Sequence, residues 1–204
     1  MMKKIGNLLL IIGVAILLFV GYTKLKIYQV QQKLMKEFES LQFVTSEEDI
    51  EASEIVFNDG DMIGKLYIPK IDLTTPIVEG ASQKNMETAV GHLTSSGAVG
   101  DLGKKNTNFA IAGHRTATFG KFFNRLDELE LGDELIIETP LKTYIFKVIE
   151  SKIIYPTEVE VIYPVEDKAL TTLITCHPIY SNKYRLIVTG ELDEVKDSKE
   201  IKET

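Results

Sequence analysis

The sequence predicts an all-β domain, a closed or nearly closed barrel, carried behind one apolar N-terminal segment. From Met62 onward, short runs rich in β-branched and aromatic residues alternate with turn residues, the texture of a sandwich or barrel rather than of βαβ units. Ahead of them stand an uncharged run dense in Leu, Ile and Val and then a largely polar stretch. Once an anchor and a tether are set aside, a chain of 204 residues leaves room for one domain with one hydrophobic core.

After Met1, Met2, Lys3 and Lys4, the run from Ile5 to Tyr22 carries no charge. As a helix rising about 1.5 Å per residue it reaches roughly 27 Å, near the hydrocarbon thickness if Lys3, Lys4, Lys24 and Lys26 snorkel. Residues 1–23 are therefore read as an uncleaved, single-pass membrane anchor. The competing readings are a cleaved signal peptide and a soluble core helix; Gly21-Tyr22-Thr23-Lys24 offers no small-x-small site for cleavage. Lysines flank both ends, so counting them leaves the orientation open. Residues 24–61 read as a polar tether that includes the acidic stretch Glu47, Glu48, Asp49 and Glu51. If Tyr28 to Phe43 is helical, Val30, Leu34, Phe38 and Leu41 share one face, which is best explained by packing on the domain or on a neighbour.

Within residues 62–193 the candidate strands are Ile63 to Ile68, Thr75 to Val78, Asn108 to Ala112, Glu134 to Glu138, Thr143 to Lys152, Thr171 to Thr175 and Tyr184 to Thr189. Seven short strands of this kind suggest closure into a barrel. Lys84 to Val90 and Gly120 to Leu129 read as short helices, the second with Phe122, Phe123, Leu126 and Leu129 along one face. Gly132-Asp133 and Asn58-Asp59-Gly60 supply turns. Residues 194–204 are charged and lack an apolar face, so they read as a frayed, solvated tail.

Composition narrows the function. A content of 44% hydrophobic and 26% charged residues is too apolar for a disordered chain. A net charge of −7 and a pI near 5.1 argue against nucleic acid as a partner, which would need clustered Lys and Arg. One cysteine allows neither an internal disulfide nor a cysteine-based metal cluster, so Cys176 is either inert or catalytic. No acidic pocket of the kind calcium needs is evident, and no cofactor is expected.

Cys176 ends the mostly apolar run Leu170-Thr171-Thr172-Leu173-Ile174-Thr175, the exit of a strand, where a rigid element can present a side chain to a groove. On composition alone, a buried Cys acting as a small hydrophobe would be favoured. His114 follows Phe109-Ala110-Ile111-Ala112-Gly113, another apolar strand, so two strand ends carry a Cys and a His. His92 and His177 are rival bases. On an extended strand His177 points away from the Cys176 face, and His92 reads as a packing histidine, ranked second to His114. Arg185 lies beyond the turn Tyr180-Ser181-Asn182-Lys183, and a hairpin would bring it back beside Cys176. There its fixed cation would favour a thiolate or hold a carbonyl oxygen that becomes negative during acyl transfer; a solvated surface arginine is the equal alternative.

Leu173-Ile174-Thr175-Cys176, followed by Arg185 and preceded by Ala112-Gly113-His114-Arg115, resembles the sortase family. Gly64-Lys65-Leu66-Tyr67-Ile68-Pro69 and Asp133-Glu134-Leu135 extend the resemblance from about Ile63 to Leu192. It implies a closed eight-stranded sortase-type β-barrel, one strand more than the seven counted, with short helices and one N-terminal transmembrane helix. It also implies a cytoplasmic N-terminus and a catalytic domain outside the cytoplasmic membrane of a Gram-positive cell. The short segment between Tyr155 and Leu170 departs from class B, and the lack of an apolar segment after the barrel departs from most class C enzymes. His114-Arg115 and Cys176-His177-Pro178 resemble class D, with class A as the alternative.

The resemblance further implies a cysteine transpeptidase with Cys176 as nucleophile, His114 as general acid/base and Arg185 as electrostatic partner. Its substrates would be surface proteins bearing an LPxTG-like sorting signal, and its acceptor a cell-wall amine. Water can replace the amine, so hydrolysis is the side reaction. Two other readings remain: a membrane-tethered, non-catalytic peptide-binding β-barrel, in which Cys176 is buried and unreactive, and a plain cysteine peptidase with no acceptor.

Overall fold

Eight strands close into the expected barrel, and a single long helix precedes them. The computed structural model describes residues 2–47, 56–115 and 122–197, and the side chains within these ranges except those of residues 2–4 and 41–47. The strands are β1 (Met62–Ile68), β2 (Leu73–Glu79), β3 (Val90–His92), β4 (Thr107–Ala112), β5 (Glu134–Glu138), β6 (Lys142–Ile154), β7 (Ala169–His177) and β8 (Tyr184–Asp197). Around the barrel they run β1-β2-β3-β4-β7-β8-β6-β5, and pairing of β5 with β1 completes the ring. The β2–β3 and β4–β7 pairs are parallel, while the remaining neighbours are antiparallel.

Alternation along the strands fills the interior. Leu66, Ile68, Phe109, Ile111, Leu135, Ile137, Phe146, Leu173, Leu186 and Val188 form one buried cluster, closed on one side by Phe122, Phe123, Leu126 and Leu129. These last four are buried as their spacing implies, but the element is a series of turns ending in the short 3-10 helix Leu126–Glu128, and the segment from Gly120 to Lys121 lies outside the described residues. The other expected helix shrinks to one turn, Asn85–Glu87, because Ala89 and Val90 are needed in the wall: both are fully buried, and Val90 begins β3, the strand beyond the seven expected, wedged between β2 and β4.

Helix α1 (Met2–Glu47) runs unbroken from the apolar segment through most of the stretch read as a tether. Its N-terminal part is long and apolar enough to cross a membrane, and its most apolar window is wholly exposed. Further along, Val30 and Leu34 are partly covered and Phe38 is buried, so the proposed face of the helix packs on the barrel; the Leu41 side chain lies outside the described residues, as do residues 48–55 of the acidic stretch. Gln31 Nε2 donates to Thr88 O at 2.8 Å, which ties the helix to the chain just before β3.

At the other end, β8 runs through Asp197, beyond the expected boundary at Asp193. Lys142, Thr143, Tyr144 and Ile145 of β6 pair with Asp197, Lys196, Val195 and Glu194. Backbone ladder bonds hold this extension, which is why a stretch without an apolar face is nevertheless a strand. Residues 198–204 lie outside the described residues.

Candidate active site

The parallel β4–β7 pair acts as a ruler for the site. Thr107 pairs with Ala169, Ile111 with Leu173 and Ala112 with Ile174, so partners are always separated by the same number of residues. That offset of 62 continues past the end of β4: Thr175 Oγ1 donates to Gly113 O at 2.8 Å, and Arg115 reaches His177, each pair 62 apart. Gly113 N also donates to Ile174 O at 3.0 Å, extending the ladder by one bond. His114 and Cys176 have this same separation, so they stand level on adjacent segments and face the same side.

On the other flank of β7, Cys176 pairs directly with Arg185 of β8. Directly opposed residues of an antiparallel pair share a face, with Cβ atoms about 4.5–5.5 Å apart. The turn between β7 and β8 therefore brings Arg185 beside the cysteine, as the hairpin reading expects. Since Leu173, Phe109 and Leu186 point into the core, strict alternation sends Cys176, His114 and Arg185 to the outer face of the sheet.

Cys176 and His114 are both partly exposed, and neither side chain has a hydrogen-bond partner among the described residues. Arg185 is held at one end: Nη1 donates to Asn182 O at 2.9 Å and to Tyr184 O at 3.0 Å. Among the described residues, its Nε and Nη2 face no acceptor. Thiol, imidazole and guanidinium on one face are chemically able to serve as a nucleophile, a proton carrier and a donor for a developing oxyanion, the set that acyl transfer requires.

The rival histidines are otherwise engaged. His177 pairs with Tyr184 and turns to the inner side, where its Nδ1 lies 2.7 Å from Arg115 Nη1. His92 is 1% exposed and stacks on Phe109 with ring centroids 4.2 Å apart. Its Nδ1 lies 2.9 Å from Glu79 Oε2 and its Nε2 2.9 Å from Gly97 O, which makes it a packing histidine of β3. Among the described residues no three His, Cys, Asp or Glu side chains are gathered so as to hold a metal ion.

The connection between β6 and β7 is strapped to the same outer face. Asn108 Nδ2 donates to Val161 O at 2.9 Å and to Tyr163 O at 3.2 Å, while Thr172 Oγ1 donates to Asn108 Oδ1 at 2.8 Å. Tyr155, Val159, Tyr163 and Val165 of that connection, with Ile179 and Tyr180 of the β7–β8 turn, are exposed. Behind His114, Gly113 permits a close approach: a Cβ there would stand 2.7 Å from the Phe123 ring.

Comparison with known proteins covers the segment that carries these residues. The chain is 32% identical over 205 residues to Sortase SrtE1 of Streptomyces coelicolor, an alignment covering 94% of this chain and 57% of that protein. It is 31% identical over 119 residues to Sortase D of Bacillus subtilis, covering 58% of this chain and 56% of that one. The chain thus spans little more than half the length of these curated relatives. Among solved structures, a Sortase D5 transpeptidase of Clostridium perfringens superposes with a TM-score of 0.70 at 29% identity, covering 81% of this chain and 99% of that one. Residues 66–193, more than half of the sequence, match the Sortase domain family, and the chain belongs to the sortase family.

Proposed function

We propose that the chain is a membrane-anchored cysteine transpeptidase of class D type, and one observation carries the reading: β4, β7 and β8 are in register so that His114, Cys176 and Arg185 share one outer face. Cys176 attacks the carbonyl of the fourth residue of an LPxTG-like sorting signal, with Arg185 holding the oxygen as it becomes negative. The C–S bond forms as the peptide C–N bond breaks, and His114 gives a proton to the departing amine. A cell-wall amine then attacks the thioester, loses its proton to His114 and leaves Cys176 free. Helix α1 spans the cytoplasmic membrane with its N-terminus inside and the barrel outside. The match to the D5 structure over nearly its whole length supports class D, and the alignment with the E1 relative covers 94% of this chain.

The exposed apolar side chains on the two connections beside the site suit an extended peptide. A non-catalytic peptide-binding barrel would use the same surface, but it predicts a buried thiol, and Cys176 is partly exposed. The deciding experiment is mass spectrometry of the full-length chain in detergent, incubated with LPxTG-like peptides with and without a glycine-based amine. A thioester on Cys176, an amine-ligated product and loss of both in Cys176→Ala are expected. An unmodified Cys176 across the panel would sink the transpeptidase; hydrolysis unaffected by the amine would leave a peptidase.

A further inference from the structure

Behind the His114, Cys176 and Arg185 face lies a second layer that the acyl-transfer scheme does not use. Arg115 follows His114, so its side chain leaves toward the opposite, inner side. That side chain is 3% exposed, a cation taken almost wholly out of water, which is costly unless its partners compensate. Nη2 pairs with Asp127 Oδ2 at 2.7 Å, and Nη1 stands 2.7 Å from His177 Nδ1. Among the described residues Nε is buried without a partner, and these two contacts hold the guanidinium.

Each contact comes from a different segment. Arg115 follows the proposed acid/base, His177 follows the proposed nucleophile, and Asp127 belongs to the 3-10 turn Leu126–Glu128. The last backbone ladder bond between the two strand ends is Gly113 N to Ile174 O. Beyond it, the Thr175 Oγ1 bond to Gly113 O and then, past the reactive pair, the Arg115–His177 contact join the chain carrying His114 to the chain carrying Cys176, both at the same offset of 62. A guanidinium has only donors, so Nδ1 of His177 must accept; the ring proton then sits on Nε2 and the ring is neutral.

We propose that Arg115 is a positioning residue that, anchored by Asp127, grips His177 in its neutral Nε2–H tautomer and so holds His114 level with Cys176. The proposal rests on the reading of His114 and Cys176 as the acyl-transfer pair. Two residues that flank the reactive pair are thereby given a task distinct from chemistry, and His177 serves as an acceptor rather than as a base.

The test uses the full-length chain in detergent micelles with 15N-labelled histidine. Long-range 1H–15N correlation of the wild type is expected to show His177 with an unprotonated Nδ1 and a protonated Nε2; a proton on Nδ1 overturns the proposal. In peptide turnover, Arg115→Gln is expected to lower kcat on the order of 10²-fold with KM little changed, as a misplaced reacting group does. His177→Gln still offers an oxygen to Arg115 and is expected to retain clearly more turnover than His177→Phe. Wild-type kcat in folded Arg115→Gln, or equal loss in both His177 variants, would refute the grip. If Arg115→Gln does not fold, the wild-type tautomer and the two His177 variants still decide. If the wild type forms no thioester at all, the acyl-transfer reading fails, while the protonation state of His177 still tests the clamp by itself.

Discussion

Gly113→Ala adds one methyl group at the joint between the barrel wall and His114. That methyl would stand 2.7 Å from Phe123 Cδ2, 3.0 Å from Phe123 Cε2 and 3.0 Å from Val90 Cγ1. Non-bonded carbons settle at about 3.5–4.0 Å, so something must move by roughly 1 Å. Phe123 and Val90 are both fully buried, and neither side chain has solvent to retreat into. If the core yields, overpacking costs about 1–3 kcal/mol, which for a domain of this size lowers Tm by roughly 3–5 °C per kcal/mol. If the backbone yields instead, His114 moves with it, and a displacement of about 1 Å at the reacting groups costs on the order of 10²-fold in kcat. Calorimetry and peptide turnover on the same preparation separate the two routes. Phe123→Leu in the Gly113→Ala background is expected to recover part of whichever quantity was lost, because the pair shares one contact. Wild-type Tm together with wild-type kcat in Gly113→Ala would refute the packing argument.

Arg185→Lys keeps the charge but loses the fork; with Nη1 no longer bridging Asn182 O and Tyr184 O, kcat is expected to fall by about 10²–10³-fold, and unimpaired turnover would show that the guanidinium geometry is not needed. Phe38→Ala takes out a side chain that is 2% exposed where α1 meets the barrel, at a cost of up to about 3–5 kcal/mol to that docking. Amide exchange in α1 beyond Gln31 is expected to quicken while turnover of a soluble peptide holds; unchanged exchange would show that the contact does not fix the helix. Glu128 is held below the ordinary carboxylate range, chiefly by its hydrogen bonds from Arg125. A lowered folded value means that its contribution is present above the unfolded pKa and lost as pH falls through the folded one. The Tm deficit of Glu128→Gln should therefore be largest near neutrality and close in acid; a deficit independent of pH would contradict the assignment.

The parts of the fold that were legible are those whose residues repeat with period two. Each of the seven strands expected from such runs is present, because a run like Phe109-Ala110-Ile111 needs no partner to declare its inner face. Strand β3 was not legible: three residues are too few to show a period, and Ala89 and Val90 look as much like the end of a helix as the start of a strand. The extension of β8 was hidden for the opposite reason, since Glu194 to Asp197 are held by ladder bonds that any sequence can make. In the proposed site, Cys176, His114 and Arg185 stood out in the sequence because each is a rare residue type at a strand end. Arg115 was in plain view beside His114, and alternation alone would have sent its charge inward and raised the question of a partner. Asp127 could not have been named, because it reaches Arg115 from a turn whose path no local pattern specifies.

The register that builds the site is chosen by buried side chains along β4 and β7 rather than by the exposed groups of the site. Side chains pair at a fixed offset only if the strands do, and a slip of one residue would move Cys176 to the inner face. Three threonines of β7 oppose such a slip. Thr171 donates to Phe109 O at 2.9 Å, Thr172 to Asn108 Oδ1 at 2.8 Å and Thr175 to Gly113 O at 2.8 Å. All three are buried, at 0%, 0% and 2% exposure, and their acceptors lie on β4 or on Gly113 just past its end. In any other register these buried hydroxyls, two in the interior and Thr172 beneath the β6–β7 connection, would lose their partners, at about 1–3 kcal/mol for each one left unsatisfied. That penalty falls on the pairing as a whole, so the hydroxyls that stabilise the barrel wall are the same ones that hold His114 and Cys176 at one height.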